Sequence, residues 1–332
     1  MSVLNEFGLI RHYFNQLTSS RDDVVLAIGD DCALLHCPAD HVLAVSIDTL
    51  VEGVHFFVDV DAKSLGHKSL AVGLSDLAAM GATPAWFTLA LTLPEVNESW
   101  LNDFSQGLAD LANQYNIQLV GGDTTRGPLT ISIQVHGFVK DKQALRRSGA
   151  QVGDAIYVTG TLGDAGAALQ LKNQGGIDSA NIKLAAPLIS LDHEDKNYLQ
   201  QRLEMPTPRI EVGYQLQDLA TAAIDISDGL LADLGHIVQQ SAVGAKLELA
   251  QLPLSSALKK LPQKTVEQLA LTAGDDYELC FTVPANNVAK VDKILVDQCR
   301  KIGVITAGSG IVCVDQHGKV IEQDGAGYDH FS

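Results

Sequence analysis

HVLAVSIDTL (41–50) reads as a β-strand, and DAKSLGHKSLAVGLSDLAAMG (61–81) as the helix that follows it. The first is a run of Val, Leu and Ile that stops on a carboxylate. The second repeats Leu65, Leu70, Leu74 and Leu77 at three- to five-residue spacing, with Gly81 as a C-terminal stop. The alternation continues on both sides. AWFTLALTL (85–93) is a strand, 98–115 a helix rich in Leu, Phe and Ala, and IQLVGGDTT and LTISIQVHGFV two further strands. Upstream, residues 1–20 read as an amphipathic helix carrying Phe7, Ile10, Phe14 and Leu17.

The polar stretch KDKQALRRSGAQVGD (140–154) marks a domain boundary. Beyond it the pattern restarts with strand AIYVTG and helix 164–172, then a polar stretch, 173–197, without a clear signal. A helix near 209–218, strand AAIDIS, helix DGLLADLGHIVQQS capped by Asp228, strand 244–250 and helix 264–273 follow. The remainder reads as strand YELCFTV, helix 285–300, GVITAGSGIVCV and a DQHGKV hairpin. With 332 residues, 46 % of them hydrophobic, the chain has room for two cores. The expectation is α/β or α+β, in domains 1–145 and 150–332.

Carboxylates recur at the ends of the apolar runs, beside Gly, Ser or Thr: Asp30 and Asp31, Ser46 and Asp48, Asp76, Asp123, Asp225 with Ser227 and Asp228, and Asp275 with Asp276. One such Asp is commonly a turn or helix cap. The whole set is harder to explain that way. In AVSIDTL the strand period puts Ser46 and Asp48 on one face, and AIDISDGL repeats the arrangement with Asp225 and Ser227. Asp76 sits inside an apolar helix, where a lone Asp needs a buried donor, an ion pair or a metal. In GDDYEL either Asp can simply end a turn. Two unpaired carboxylates about 4 Å apart repel by roughly 4 kcal/mol at an effective dielectric near 20. Convergent carboxylates therefore call for a cation, and hard divalent ions prefer oxygen ligands.

The formal net charge of −17 excludes binding of nucleic acid or anionic membrane through the bulk field. An anionic nucleotide would need bound cations to approach. The five cysteines lack CxxC spacing and read as reduced, which suits the cytoplasm. No apolar run is long enough for a membrane span, and MSVLNEFGLIRHYF has no signal-peptide core. There is no GxxxxGK[ST], HExxH or Gly-x-Ser-x-Gly; GTLGDAG (160–166) reads as a turn into a helix, not a dinucleotide site.

The stretches IGDDCALL, SIDTLVEGVHF, KSLAVGLSDLAAMGATP, GGDTTRGP, RRSGAQVGD, YVTGTLGDAGAAL, AIDISDGL, GDDYEL and GYDHF run in order through the chain. Together they resemble the thiamine-monophosphate kinase family of the aminoimidazole ribonucleotide synthetase superfamily. The resemblance implies transfer of the γ-phosphoryl of ATP directly to thiamine monophosphate, giving thiamine diphosphate, with Mg²⁺ ions and no side chain acting as base. It implies a homodimer whose N-terminal strands join in a barrel across the two subunits. The N-terminal domain would bind ATP and Mg²⁺ and dimerise, and the C-terminal domain would complete the cleft. Carried over by position, Asp30, Ser46, Ile47 (through its backbone), Asp48, Asp76, Asp123, Asp225 and Asp228 would hold Mg²⁺. Gly122, Asp123, Arg147 and Ser227 would contact ATP, and His55, Asp276 and Tyr328 the thiamine phosphate. One departure is Asp275, which stands where the family motif has Glu. Two other readings remain at this level: another ATP-dependent synthetase of the superfamily, or a non-enzymatic cation-binding protein. The first commonly needs a reactive Cys or Lys, or a C-terminal cysteine; no cysteine lies in a glycine-rich loop or in the tail.

Overall fold

The computed structural model describes residues 6–15, 17–172 and 191–321. Contacts divide the chain into two units, one of Met1–Leu77 with Ala82–Lys142, the other of Ala78–Gly81 with Gln143–Ser332. A short N-terminal helical segment, α1 (Glu6–Leu9), runs into a π-helical turn, Ile10–Phe14, and ends before Leu17, shorter than the periodicity predicts.

The first unit is built on β3 (His41–Val51), β4 (Thr83–Leu93), β5 (Gln118–Arg126) and β6 (Thr130–Lys140), in the order β3-β6-β4-β5. A hairpin of β1 (Val24–Leu26) and β2 (Leu34–Leu35) stands apart from that sheet. Strand β6 runs antiparallel to both β3 and β4, and β4 and β5 are parallel. Helices α2 (Ala62–Ala79) and α3 (Glu98–Gln114) make the crossovers that parallel strands require. Helix α2 starts where Asp61 Oδ2 accepts the Ser64 N–H at 2.8 Å, and α3 where the Asn97 side chain accepts from the Trp100 N–H. Leu65, Leu70, Leu74 and Leu77 of α2 are all buried, as their spacing predicts. The hairpin is tied down by Arg21 and Asp23: the guanidinium donates to both Asp23 oxygens at 2.9 and 2.6 Å, and Trp86 Nε1 donates to Asp23 at 3.0 Å.

The second unit holds a seven-stranded sheet in the order β13-β12-β9-β11-β7-β10-β8. Its strands are β7 (Ala155–Thr159), β8 (Ala222–Asp225), β9 (Gly244–Glu248), β10 (Leu279–Val283), β11 (Cys299–Thr306), β12 (Gly310–Val314) and β13 (Val320–Ile321). Every pairing is antiparallel except β12 with β9, so the architecture is α+β. The helices are α4 (Asp164–Lys172), α5 (His193–Glu204), α6 (Ile210–Leu216), α7 (Leu230–Ser241), α8 (Gln263–Thr272) and α9 (Val288–Ile294). The expected helix over 285–300 is a correction: α9 ends at Ile294 and Cys299 already belongs to β11, whose Ile302 and Ile305 are buried. Helix α5 begins at the end of the stretch 173–197 that gave no clear signal, and opens with a capping box between Asp192 and Asp195. The DQHGKV hairpin forms, with Asp315 N–H donating to Lys319 O at 3.0 Å.

Two glycines set how closely α2 and α3 approach. A Cβ at Gly66 would lie 2.1 Å from Phe104 O, and one at Gly107 1.9 Å from Lys63 O, so each helix presses backbone on backbone. Gly107→Ala should therefore destabilise the chain by about 1–3 kcal/mol, the usual cost of overpacking. Denaturant unfolding of the variant checks this, and a midpoint equal to the parent's would show that the helices separate freely.

Candidate active site

Strand β3 presents Ser46 and Asp48 toward α2. Gly73 of that helix leaves room for the sheet: a Cβ there would meet Val135 Cγ1 at 2.9 Å and Asp48 Oδ2 at 3.5 Å. Asp76 follows one turn later, and Ser46 Oγ donates to its Oδ2. Asp48 Oδ2 is buried and without a hydrogen-bond partner among the described residues. Burial, and then the neighbouring Asp76 charge, push the Asp48 carboxyl up to about 7. Two carboxylates and a hydroxyl facing one another, with an orphaned oxygen between helix and sheet, form a cradle that a cation fits.

Asp123 belongs to a different place. The register sets it in a rung with Ala90, Ser132 and Thr49, whereas Asp48 shares a rung with Ile133, Leu89 and Gly122. Successive rungs point to opposite faces. Asp123 is therefore on the other face from Asp48, three strand spacings away, on the order of 14 Å. Its own neighbours are Asp30, Asp31 and Gly122, which line a cavity of about 660 Å³ with Phe14 and Arg11. Arg11 is the one basic side chain along that lining. Gly122 is dictated by contact, since a Cβ would lie 1.9 Å from Leu89 O. Asp30 is exposed, and its Oδ1 accepts the Asp31 N–H at 2.9 Å.

His55 sits in the turn after β3. Its Nδ1 accepts the Val51 N–H at 3.0 Å, so the neutral ring carries its hydrogen on Nε2. Ile47, between Ser46 and Asp48, turns its side chain to the open face and is 62 % exposed.

In the second unit Asp225 ends β8 and is buried, while Ser227 and Asp228 are half-exposed in the turn to α7. Asp228 is not the cap of α7, as the sequence suggests. Gly229 is the N-cap residue, at φ 112°, and makes no side-chain capping bond. Asp233, unremarked in the sequence, reaches back from the first turn, where Asp228 and Gly229 N–H both donate to its Oδ2 at 3.1 Å. Burial, and then the Asp228 charge, raise the Asp233 carboxyl to about 7, against the backbone donors that pull it down. Only its position in the helix, facing the turn, could have signalled it. Arg147 is exposed in a loop held by Ser241, whose Oγ accepts the N–H groups of Gly149 and Ala150, each at 3.1 Å.

Asp276 is an interior residue. It is 2 % exposed, its Oδ2 accepts the Gly163 N–H at 2.8 Å, and its Oδ1 has no hydrogen-bond partner among the described residues. Burial drives its carboxyl well upward. Asp275 beside it is half-exposed, in a left-handed backbone at φ 66°. Glu278, in the same motif, is fully buried and compensated. Thr159 donates to it at 2.6 Å, Arg209 through Nε and Nη2 at 2.6 Å each, and Arg202 at 2.9 Å. Tyr328 lies outside the described residues.

Within the first unit the carboxylates thus fall into two groups, Asp48 with Asp76 and Asp30 with Asp123; in the second, Asp225 and Asp228 flank the turn into α7. Among the described residues no three His, Cys, Asp or Glu side chains stand close enough to hold a metal ion by themselves. That pattern still suits Mg²⁺, which is commonly held by one or two carboxylates together with substrate phosphates.

The AIR synthase related protein families match this chain, the N-terminal domain model over residues 29–139 and the C-terminal domain model over 151–316. It is 51 % identical to the thiamine-monophosphate kinase of Escherichia coli O157:H7 over 334 residues, covering 98 % of each chain. The crystal structure of thiamine-monophosphate kinase from Stenotrophomonas maltophilia K279a superposes with a TM-score of 0.81 at 48 % identity, over 88 % of this chain and 92 % of that one. AaThiL complexed with AMPPCP and TMP superposes at 0.74 with 32 % identity, over 99 % and 97 %. No helix among the described residues is long and apolar enough to cross a membrane.

The Asp48 site yields a pH-dependent expectation. A carboxyl raised from 3.8 to about 7 keeps its proton in the folded chain after the unfolded chain has lost it. Folding is then increasingly penalised as pH climbs from about 4 to about 7, and by a constant amount above. In EDTA, Asp48→Asn should melt higher than the parent at pH 8, with the gain shrinking toward pH 4. An equal melting temperature across that range would mean that Asp48 is already compensated.

Proposed function

The chain belongs to the AIR synthase related family and, within it, to the thiamine-monophosphate kinases, and we infer that it carries out their reaction. It transfers the γ-phosphoryl group of ATP to thiamine monophosphate, giving thiamine diphosphate and ADP. One structural observation carries the site assignment: the buried, unpartnered Asp48 oxygen facing Asp76. Asp30, Ser46, the Ile47 carbonyl, Asp48, Asp76, Asp123, Asp225 and Asp228 are the oxygen donors for Mg²⁺. The ions supply neutralisation of phosphate charge, which phosphoryl transfer between two anions requires.

The protein's own groups orient the reactants. The cavity beside Gly122 and Asp123 takes the nucleotide, with the Gly122 backbone close to the phosphates and Arg11 and Phe14 along the wall. In the second unit, Arg147 and Ser227 offer a guanidinium and a hydroxyl for ATP. His55, its hydrogen fixed on Nε2, donates to the thiamine phosphate and is not set up to take a proton. The attacking phosphate oxygen is anionic near neutral pH, because a phosphate's second ionisation falls near pH 6. Transfer is then direct and in line, without a base. AaThiL holding AMPPCP and TMP in one complex supports that order of events. On the substrate side, half-exposed Asp275 is better placed than buried Asp276 to meet the thiamine phosphate.

We propose further that the chain works as a homodimer. Among the described residues strand β3 pairs only with β6, and it exposes Val42, Leu43, Val45 and Ile47, at 44–62 %. An apolar edge of that kind is a pairing liability unless it is covered. A second copy completing the barrel covers it, and sedimentation equilibrium of the intact protein checks the stoichiometry.

Product analysis after incubation with ATP, Mg²⁺ and thiamine monophosphate should give thiamine diphosphate and ADP. Asp48→Asn and Asp123→Asn should each fold and retain less than about a tenth of the parent rate, as expected for loss of several kcal/mol of transition-state stabilisation. Substantial activity in both would remove the metal assignment while leaving the kinase reaction in place.

His55→Ala should chiefly raise KM for thiamine monophosphate, with modest loss of kcat, the signature of lost ground-state binding. The saturated rate should rise through about pH 6 and level off in parent and variant alike. A loss of kcat beyond about a thousandfold at unchanged KM, with the acidic limb gone, would make His55 a chemical participant.

A further inference from the structure

The turn between β8 and α7 is locked on both its sides by different partners. Its carbonyl side is held by the GDDYEL segment. Asp275 N–H donates to Ser227 O at 2.9 Å, Tyr277 N–H to Ile226 O at 2.9 Å, and Ile226 N–H to Glu278 O at 2.8 Å. Gly274 allows that approach, since a Cβ would lie 2.1 Å from Ser227 O. The N–H side would ordinarily be open, because the first amides of a helix have no partner within it. Here Asp228 and Gly229 N–H both close on Asp233 Oδ2 at 3.1 Å. Asp233 is 2 % exposed and α7 runs twelve residues, so the contact is an interior one in a full helix. Gly229 cannot move to compensate, as a Cβ there would meet the Thr272 backbone at 2.8 Å.

These amides are the groups a helix N-terminus normally offers to an anion. They are consumed by the chain's own carboxylate. A nucleotide at this turn therefore meets the Ser227 hydroxyl and the Asp228 carboxylate, the half-exposed groups, and not the backbone amides. We propose that Asp233 is a positioning residue for ATP and its cation: it fixes the Ser227–Gly229 turn from the amide side, so that Ser227 and Asp228 are held outward. This rests on the nucleotide role given above to Ser227 and Asp228. Length matters as much as charge. Glu would place the accepting oxygen one methylene too far, whereas Asn keeps one accepting oxygen at the same reach.

The test compares Asp233→Ala, Asp233→Glu and Asp233→Asn in the intact chain. For Asp233→Ala and Asp233→Glu, KM for ATP and the half-saturating Mg²⁺ concentration should rise by about tenfold, with KM for thiamine monophosphate within about twofold of the parent. Asp233→Asn should recover most of that loss. A lowered melting temperature with both KM values unchanged, or a parallel rise in both, would reduce Asp233 to a structural residue and overturn the proposal. Hydrogen exchange of a peptide spanning 226–230 gives a readout independent of catalysis. The Asp228 and Gly229 amides should be protected in the parent and in Asp233→Asn, and should lose protection in Asp233→Glu, which keeps a charge that a folded chain can accommodate. Unchanged protection would sink the proposal even if the parent proved to phosphorylate some other substrate. Protection lost in Asp233→Glu, alongside a protected parent that proved inactive on thiamine monophosphate, would instead uphold the turn-locking and remove only the assigned reaction.

Discussion

Repulsion between carboxylates held out of water is the constraint around which this molecule is arranged. A chain of net charge −17 buries Asp164, Asp225, Asp233, Asp276 and Glu278 in one unit and leaves a buried Asp48 oxygen against Asp76 in the other. An ionised carboxylate in the interior is costly unless it is paired or well hydrogen-bonded. Glu278 is satisfied by two guanidinium groups and a hydroxyl, and Asp164 by the hydroxyls of Thr161, Ser255 and Tyr198. Asp233 is met by backbone amides. Each of these has an answer inside its own unit. Asp48 does not, and its neighbour makes matters worse, because Asp76 carries the same sign.

That difference is not one of burial. Glu278 is more deeply buried than Asp48, yet its partners complete it, and removing one arginine would strand a charge. At Asp48 the missing partner is one that the fold itself does not supply. Ser46 Oγ is spent on Asp76. An oxygen-preferring cation would relieve both carboxylates at once, and the helix is admitted close to the strand by Gly73, beside Asp48.

Much of this frame was legible in the sequence. Strand β3 and helix α2 declared themselves through the two- and 3.6-residue periods, and Asp48 and Ser46 shared a face because strands alternate. What the periods could not carry was long-range order. The sheet order β3-β6-β4-β5 is not sequential, so nothing in GGDTT says that Asp123 falls one rung out of step with Asp48, on the opposite face. Nor can spacing tell that Asp276 turns inward to Gly163 while Asp275 adopts the left-handed backbone and stays at the surface. The stretch 285–300 misled for a local reason. Its Val and Leu residues fit a helix through Ile294, but Cys299 onward pairs with β7 and then β9, a long-range pairing that local spacing does not announce. Asp228 looked like a helix cap by position; the real start is a glycine, with the carboxylate that satisfies the turn lying inside the helix.

The two glycine-bearing strand-to-helix turns of the second unit turn their amides inward. In many folds such a turn offers its amides to phosphate. Here the turn into α4 gives its Gly163 N–H to Asp276, and the turn into α7 gives two N–H groups to Asp233. Both amide sets are already filled by internal carboxyl groups, which no phosphate can displace without leaving a buried polar oxygen unpaired. A phosphate at these turns would therefore meet side chains and not backbone amides. The side chains available beside the α7 turn are Asp225, Ser227 and Asp228, which hold an anionic substrate only with positive charge between. On this account the excess of carboxylates and the lack of a phosphate-cradling loop share one cause: the amides that would build such a loop are committed to holding the chain together.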